Sequence, residues 1–362
     1  MKVLICGGGI GGLSAAIGMA KLGHEVRVFE RAPELRSTGA GLNLWPNSGR
    51  AIYGLGLKEQ YDAICVKLDR YLNYNQDGEL LYETDCSDWP EKYGAPAIGV
   101  YRHNLNKMLA EAVGYENISF GYKVTSVENT DNGVICHFEN GESVEGDVLI
   151  GADGIYSTIR DQLAGGVTFR RNDHHAFRWR AIFDIEKADI DRAAQTGFYS
   201  EGGWLATIPI GDGLAYWFGS VSGAKNVDEF LAYFQDWSNT HIPSTLALTP
   251  KDKIIESPLY DVDGVPYQWT HGRITLLGDA AHPMVPDLAQ GASQTFIDAY
   301  ALYQAFENNT DIEAALAEYE SVRRPASEYV VKRSQYGSFM GRNSVDPIPV
   351  RYQKEIEPES SH

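Results

Sequence analysis

The chain has 362 residues, enough for two domains or for one large α/β domain with an inserted layer. Hydrophobic residues make up 43% and charged residues 22%, which excludes disordered and fibrous classes. Lys and Arg number 31 against 49 Asp and Glu, and the resulting charge of −18 argues against nucleic acid and anionic membranes as partners.

The four cysteines are widely spaced and form neither a CxxC pair nor a zinc-like cluster. A reducing cytoplasm is the simplest location, and neither a secretory signal nor a membrane-spanning run is evident. We therefore expect a cytoplasmic protein without a metal site. The neighbours His174 and His175 lack metal-ligand spacing and are expected on a loop.

The first thirty residues read as strand, glycine turn, helix and strand. Residues 2–6 are a short apolar run, residues 13–22 carry apolar side chains at helical spacing, and residues 25–30 alternate. Residues 147–150 and 274–277 are later apolar runs that also lead into glycines. These segments predict an α/β fold whose parallel sheet is built from discontinuous segments.

Other segments have a different pattern. An inserted, mainly antiparallel β-sheet is predicted from alternating, aromatic-rich segments at residues 71–82, 177–185, 197–210 and 213–221. Helices are predicted from residue 290 onward. We divide the chain into a first domain of residues 1–70, 101–168 and 270–345, an inserted domain of residues 71–100 and 169–269, and a loose tail of residues 346–362.

Gly7, Gly9 and Gly12 complete a G-x-G-x-x-G pattern between a predicted strand and helix, and Glu30 follows Gly12 by 18 residues. The first glycine permits a tight turn, the second lets a pyrophosphate approach the backbone, and the third lets helix and strand pack closely. Helix amides would hold the phosphates while Glu30 accepts hydrogen bonds from ribose hydroxyls. The motif indicates a dinucleotide but does not separate NAD from FAD.

Two later motifs separate these cofactors. Residues 147–160 read DVLIGADGIYSTIR, and residues 278–282 read GDAAH. With the first motif they resemble, in order, the three fingerprints of the FAD-dependent aromatic-ring hydroxylases, which are single-component flavoprotein monooxygenases. The resemblance runs from about residue 2 to residue 324. It implies a Rossmann-like FAD-binding domain, an inserted substrate domain and C-terminal helices.

The resemblance also implies which residues meet the cofactor. Asp279 would bind the ribityl or pyrophosphate part of FAD, Asp153 and Gly154 would contact the flavin and its nicotinamide donor, and Arg102 would reach toward FAD. Asp153 and Asp279 have a plainer alternative as turn or N-cap residues. The predicted FAD-binding residues are Gly7, Gly9, Gly11, Gly12, Glu30, Arg31, Gly41, Arg102, Asp153, Gly154, Asp279, Gly291 and Ala292.

Two segments of this chain resemble the family's segments that enclose the flavin ring. One holds Pro286 and Asp287 and leads into a helix at about Gly291, whose N-terminal amides would stabilise anionic reduced flavin. The prolines alternatively only kink this loop. The other segment holds Gly41 and Asn43, and Asn43 can orient a substrate but cannot act as a base near neutral pH.

Hydroxylation in this family uses a flavin C4a-hydroperoxide and an electron-rich ring, so a base near the ring is useful. Asp287 resembles the aspartate that assists deprotonation in the family's urate hydroxylases, and Tyr216 resembles their active-site tyrosine. Trp204, however, stands where they have a substrate-clamping arginine. The predicted catalytic residues are Asp287, Tyr216, Pro286 and Asn43, and the predicted substrate residues are Trp204, Thr207 and Arg180.

The side-chain roles in the inserted sheet have alternatives. Strand alternation lets Tyr216 or Trp217 face the flavin domain but not both, and Tyr216 is alternatively an ordinary sheet aromatic. Arg180 can contact substrate, nicotinamide or a structural carboxylate, and the structural option is favoured. Trp204 and Thr207 either line the pocket or pack within the sheet.

The motif G-x-G-x-x-G does not recur, so the nicotinamide donor has to dock transiently. The resemblance implies a monooxygenase that uses FAD, NAD(P)H and O2 to hydroxylate a small aromatic or N-heteroaromatic compound, as a monomer or homodimer. Two other functions remain open: a flavin-dependent reductase or dehydrogenase on the same fold, and a non-catalytic flavin- or ligand-binding protein.

Overall fold

The computed structural model describes residues 1–35, 40–165, 169–171, 177–262 and 267–339. The predicted loop at His174 and His175 and the predicted tail at residues 346–362 lie outside the described residues. Within the described residues the chain is an α/β protein with a parallel sheet, a mainly antiparallel sheet and C-terminal helices, as predicted.

The described residues form the following strands and helices. The strands are β1 (Lys2–Cys6), β2 (Glu25–Glu30), β3 (Gly41–Leu44), β4 (Cys65–Leu68), β5 (Arg70–Asn75), β6 (Leu80–Asp85), β7 (Ala97–Tyr101), β8 (Ile118–Phe120), β9 (Val124–Asn129), β10 (Val134–Phe138), β11 (Ser143–Gly146), β12 (Val148–Gly151), β13 (Phe169–Arg171), β14 (Phe177–Asp184), β15 (Ala194–Tyr199), β16 (Gly203–Gly211), β17 (Leu214–Val221), β18 (Ile255–Pro258), β19 (Tyr260–Val262) and β20 (Ile274–Leu276). The helices are α1 (Ile10–Lys21), α2 (Pro46–Gly54), α3 (Lys58–Ile64), α4 (Trp89–Tyr93), α5 (Arg102–Val113), α6 (Thr158–Ala164), α7 (Val227–Tyr233), α8 (Ile242–Ala247), α9 (Gly291–Asn308) and α10 (Ile312–Phe339).

A five-stranded parallel sheet has the order β20-β12-β1-β2-β8. Its central strand β1 places Ile5 opposite Ile150 of β12 and Val28 of β2. The residues of β12 are all buried, and so are four of the five in β1, which explains why both read as continuous apolar runs. Because β1, β12 and β20 come from distant parts of the chain, the predicted discontinuous sheet is confirmed.

The parallel order brings the carboxyl ends of β1, β12 and β20 to one edge of the sheet, and each of these strands is followed there by a turn. Helices α1, α9 and α10 pack together beside the sheet. The small antiparallel sheet β11-β10-β9 joins it through Phe29 and Phe138, whose ring centroids are 4.6 Å apart. The sheet edge with these turns therefore remains available for a ligand.

The inserted sheet has seven strands in the order β18-β14-β17-β16-β15-β5-β6. The hairpin predicted at residues 71–82 forms β5 and β6 and joins this sheet, as expected. The segment predicted at residues 197–210 contributes two antiparallel strands, because the chain turns between β15 and β16. The amide of Ser200 donates to the carbonyl oxygen of Gly203 at 2.9 Å and closes that turn.

The two faces of the seven-stranded sheet differ in their contacts. On one face Trp179 and Trp217 stack on Phe230 of α7, with ring centroids 4.7 and 5.7 Å apart. On the other face Tyr216 stacks on Phe218, and both line a cavity. The predicted alternation is therefore confirmed, and Tyr216 is the residue that faces the parallel sheet.

A further sheet, β3-β7-β4, packs against the seven-stranded sheet and was not predicted. It contacts β16 closely, since a Cβ on Gly99 of β7 would lie 2.0 Å from the carbonyl oxygen of Pro209. A glycine is needed at this crossing because the two backbones leave no space for a side chain. The small sheet thereby fixes β3 against the cavity.

Candidate active site

The glycine turn after β1 is shaped by contacts that exclude side chains. Gly7 has a φ of +115°, and a Cβ on it would lie 2.1 Å from the carbonyl oxygen of Ala152. A Cβ on Gly12 would lie 1.8 Å from the carbonyl oxygen of Gly7. Gly9, which immediately precedes α1, has no atom within 4 Å of its Cβ position. Gly7 and Gly12 therefore form the turn, whereas Gly9 leaves space for a ligand at the helix N-terminus.

Glu30 closes the same turn through its carboxylate. Its Oε2 accepts a hydrogen bond from the Gly8 amide at 2.7 Å, and its Oε1 accepts one from the Ala32 amide at 2.8 Å. A carboxylate has about four acceptor sites, so capacity for ribose hydroxyls remains. Glu30 and Arg31 both line a cavity of 220 Å³ beside the turn.

Asp153 lies in the turn after β12 and contacts the start of a helix. Its carboxylate accepts hydrogen bonds from the Ser157 hydroxyl at 2.5 Å and from the Thr158 amide at 2.8 Å, at the start of α6. Burial raises the pKa of Asp153, and these hydrogen bonds oppose the shift. Ser157 is the N-cap residue of α6, so Asp153 is a turn residue that supports the helix start, and Asp153 and Gly154 also line the smaller cavity.

A larger cavity of 510 Å³ extends from the glycine turn to the seven-stranded sheet. Its walls come from the turns at the edge of the parallel sheet, from β3, from the loop before α9 and from one face of the seven-stranded sheet. The residues predicted from sequence that line it are Gly9, Gly11, Gly41, Asn43, Arg102, Gly154, Arg180, Trp204, Tyr216, Asp279, Pro286, Asp287, Gly291 and Ala292.

The two cavities are continuous, since Gly9, Arg102, Ala152 and Gly154 line both. Gly9 and Gly154 face open space at this junction. The N-terminus of the 12-residue helix α1 adds amide donors and the positive end of a helix dipole. These residues fit an elongated dinucleotide, with the smaller cavity beside Glu30 suited to the ribose and the larger one to a flavin ring.

The loop before α9 places Pro286 and Asp287 in the larger cavity. A short 3₁₀ turn, Pro286–Leu288, is followed by Ala289 with a φ of +52°. Helix α9 then begins at Gly291 and runs for 18 residues. Gly291 and Ala292 line the cavity, so the positive end of the helix dipole faces it.

Asn43 is held at the cavity wall by two neighbours. Its Nδ2 donates to Oε1 of Gln195 at 2.7 Å, and its Oδ1 accepts from the Tyr71 hydroxyl at 3.0 Å. Both atoms of the amide are therefore engaged, which suits an orienting residue. Gly41, two residues earlier, makes room for Tyr216, since a Cβ on Gly41 would lie 2.6 Å from the Cβ and Cγ of Tyr216.

Tyr216 lies in an aromatic and cationic part of the cavity. Its ring stacks on that of Phe218, with centroids 5.2 Å apart. Burial raises the pKa of the Tyr216 hydroxyl, and the nearby charges of Arg180 and Arg178 oppose that shift. Arg180 also donates from Nη2 to the Ser257 hydroxyl at 3.0 Å, so it has a neutral partner in the sheet rather than the structural carboxylate favoured from sequence.

Arg178 is a cavity residue that sequence reasoning missed. Its Nη2 donates to Oδ1 of Asp287 at 3.1 Å, and the two side chains are 6% and 8% exposed. Its guanidinium also lies over the ring of Trp204, 4.4 Å from the centroid. The sequence FRWR contained a signal for it, because residues two apart on a strand share a face, so Arg178 accompanies Arg180.

The sequence model of a protein family described as "FAD binding domain" matches residues 1–334 of this chain. The chain belongs to this family and is an FAD-dependent aromatic hydroxylase. It is 32% identical over 346 residues to the aurachin C monooxygenase/isomerase of Stigmatella aurantiaca, which covers 93% of this chain and 89% of that protein. It is 32% identical over 335 residues to the FAD-dependent urate hydroxylase of Klebsiella pneumoniae, with 89% and 86% covered.

The fold of the hydroxylase is also similar to solved structures. Klebsiella pneumoniae HpxO complexed with FAD and uric acid superposes with a TM-score of 0.87 at 26% identity, over 99% of this chain and 92% of that chain. FAD is therefore the cofactor of this hydroxylase, in agreement with the turn geometry and the continuous cavities.

Thr207 is the predicted substrate residue that the structure does not bring to the larger cavity of the hydroxylase. It lies opposite Trp217 and Thr196 in the sheet and is 1% exposed. Directly opposed residues share a face, so Thr207 points with Trp217 toward the packed side. Trp204 and Thr207 differ by an odd number of positions, which places them on different faces.

A buried ionic network supports the hydroxylase's GDAAH turn from behind. Asp298 of α9 contacts Nε2 of His282 at 2.5 Å through Oδ2 and accepts from Nε of Arg323 at 2.8 Å through Oδ1. The Gly278 amide also donates to Oδ2 of Asp298, at 3.1 Å. This network joins the turn to α9 and α10.

Among the described residues no group of His, Cys, Asp and Glu side chains is arranged to hold a metal ion. No described helix has the length and apolar character needed to cross a membrane.

Proposed function

We propose that this hydroxylase is an NAD(P)H-dependent monooxygenase that acts on a small aromatic or N-heteroaromatic ring. The observation that carries the proposal is the 510 Å³ cavity, where flat side chains and a few polar groups adjoin the glycine turn and the start of α9. Cavities of this size and lining bind single small molecules. Urate, named for one similar enzyme, is a small flat heterocycle of this kind.

Asp287 and Tyr216 are the proposed groups that orient the ring. The Asp287 carboxylate, held by Arg178, can accept a hydrogen bond from a ring hydroxyl or ring N–H and take up that proton. The raised pKa of Tyr216 keeps its hydroxyl protonated near neutral pH, so it can donate to a substrate oxygen. Asn43, held by Tyr71 and Gln195, limits the positions open to the ring.

FAD, when bound, supplies the redox chemistry: electrons come to it from NAD(P)H, and it activates O2 for insertion into the ring. The amides at the start of α9, near Gly291 and Ala292, offer a positive dipole end to negative charge on the cofactor. Pro286 and the aromatic walls at Trp204 and Phe218 exclude water from the reacting ring.

The test is NADH and NADPH oxidation with simultaneous oxygen uptake on FAD-loaded protein, across salicylate, hydroxybenzoates, hydroxynicotinates, hydroxypyridines and urate. We expect one ring to stimulate both signals and to yield a product heavier by one oxygen atom. Reduction of a substrate without oxygen uptake would identify a reductase or dehydrogenase. A bound ring that leaves NAD(P)H oxidation unaccelerated across the panel would contradict the proposal and indicate a non-catalytic binding protein.

Replacement of Tyr216 by Phe tests the orienting role on the substrate so found. Loss of one hydrogen bond to the substrate should lower kcat/KM by about tenfold while FAD content is unchanged. Tyr233→Phe is the matched control, because Tyr233 bonds to Ser200 from α7 and packs on the opposite face of the sheet. Equal effects of the two variants on kcat/KM would show that the Tyr216 hydroxyl does not meet the substrate.

A further inference from the structure

Arg178 is a buried cation whose hydrogen-bonding capacity is only partly used. Its Nη2 donates to Asp287, and its ring contact with Trp204 occupies the flat face of the guanidinium. Its Nε is buried and has no hydrogen-bond partner among the described residues. Guanidinium donors lie in the plane of the group, so stacking on Trp204 does not use them.

Arg180 repeats this arrangement two residues along β14. It lines the same cavity and donates from Nη2 to Ser257, while its Nε is also buried without a partner in the described part of the chain. Arg178 and Arg180 point to one face because side chains alternate along a strand. Two guanidinium groups therefore face the cavity, and one of them, that of Arg178, is paired with Asp287.

The remaining charged residues of the cavity belong to its cofactor end. Arg102 also lines the smaller cavity beside Glu30, and Asp279 lies near Gly291 at the start of α9, 3.9 Å from the Cβ position of that glycine. Among the described lining residues, the end at Trp204 is thus left with an excess positive charge. A buried cation with an unused donor is costly unless an anion or another acceptor meets it.

We propose that Arg178 and Arg180 form an anion subsite, and that the substrate is a ring carrying a carboxylate that binds there. Arg178 reaches from β14 across the ring of Trp204, so a tryptophan at position 204 is compatible with cationic substrate recognition. The anion shares the Arg178 guanidinium with Asp287. The choice of substrate rests on the proposed hydroxylase function, whereas binding at the subsite is measured without turnover.

The test measures dissociation constants on FAD-loaded protein from changes in the flavin absorption spectrum. The probes are matched acids and amides: benzoate and benzamide, nicotinate and nicotinamide, and 3-hydroxybenzoate and 3-hydroxybenzamide. We expect at least one acid to bind about tenfold more tightly than its amide, the size of a charge-assisted hydrogen bond. No binding of any acid, or equal binding of acids and amides, would overturn the proposal.

Four variants separate recognition from structure. Arg178→Met should remove the preference for acids. That change also leaves the Asp287 carboxylate unpaired, and this carboxylate alone could repel anions. The double variant Arg178→Met with Asp287→Asn removes that repulsion and should still lack the preference for acids. Asp287→Asn alone should strengthen acid binding severalfold, since the guanidinium is no longer shared. The matched control is Arg192→Met, which removes an exposed arginine paired with Glu186 and should keep the preference.

The outcomes distinguish this inference from the proposed function. Retention of the acid preference in Arg178→Met, or weaker acid binding in Asp287→Asn, would contradict the anion subsite. Acid binding that depends on Arg178 but never stimulates NAD(P)H oxidation would leave the subsite standing and contradict the hydroxylation of such acids. Hydroxylation of a neutral ring, together with equal binding of acids and amides, would support the proposed function and contradict the anion subsite.

Discussion

Single residues of the glycine turn have separable roles. A Cβ on Gly12 meets the carbonyl oxygen of Gly7 at 1.8 Å, whereas a Cβ on Gly9 meets no atom within 4 Å. Gly9 has a φ of −85° and a ψ of −174°, which other residues adopt readily. The turn needs glycine at position 12 to keep its own shape. At position 9 glycine is needed only where a ligand approaches the backbone.

The pair of substitutions Gly9→Ala and Gly12→Ala tests this distinction. Gly9→Ala should leave the free energy of unfolding of the apoprotein within about 0.5 kcal/mol of the wild type but weaken FAD binding by about tenfold or more. Gly12→Ala should lower both the free energy of unfolding and the affinity for FAD. The measurements are urea unfolding and FAD titration. Unchanged FAD affinity in Gly9→Ala would mean that the cofactor does not pass this residue.

A second residue-scale prediction concerns Gly41. An added methyl group would lie 2.6 Å from Tyr216, so Tyr216 or β3 must move. Gly41→Ala should therefore raise KM for the ring substrate by about tenfold through displacement of Tyr216. FAD content serves as the internal control and should change less than ring binding. A variant with wild-type KM would show that the position of Tyr216 is not critical.

At the scale of elements, the network around Asp298 joins the GDAAH turn to α9 and α10. Burial alone would raise the pKa of Asp298, but the contacts with His282 and Arg323 lower it below its usual value. A carboxylate with a lowered folded pKa stabilises the protein above its unfolded pKa of about 3.9 and loses that contribution as pH falls through the folded pKa.

Asp298→Asn should therefore destabilise the protein by about 3 kcal/mol near pH 7, because it leaves Arg323 buried without its carboxylate. The difference from the wild type should be constant from pH 7 to pH 5 and should shrink below about pH 4. Urea unfolding at each pH measures it. The exposed Asp131, changed to Asn, is the control, with an expected effect within about 0.5 kcal/mol. A pH-independent difference would contradict the electrostatic account.

At the scale of the whole molecule, the charge of −18 acts on ligands that arrive from solution. NADH and NADPH are anions, so the field of the protein opposes their approach and salt screens this repulsion. We expect kcat/KM for the donor to rise roughly twofold as ionic strength increases from 0.01 to 0.15 M. Turnover at a saturating donor concentration is the control. A fall in kcat/KM would show that cationic residues such as Arg102 dominate the approach.

Much of this molecule was predictable from local patterns. The strands at residues 2–6 and 25–30, the glycine turn and the start of α9 near Gly291 agree with the structure. These features depend on neighbours in sequence, because apolar periodicity and glycine backbone freedom act over a few residues. The β3-β7-β4 sheet was missed because its short strands pair across long separations.

Sequence by itself determined the fold class, the dinucleotide-binding turn and the placement of Tyr216 and Trp217 on opposite faces of the sheet. Only the tertiary structure decided that Arg178 meets Asp287, 109 residues away, and stacks on Trp204. It also decided that Thr207 points away from the cavity. Alternation specifies which residues share a face, but the pairing register and the approach of a distant loop come from many weak packing contacts acting together. The charge of the substrate pocket therefore follows from tertiary structure.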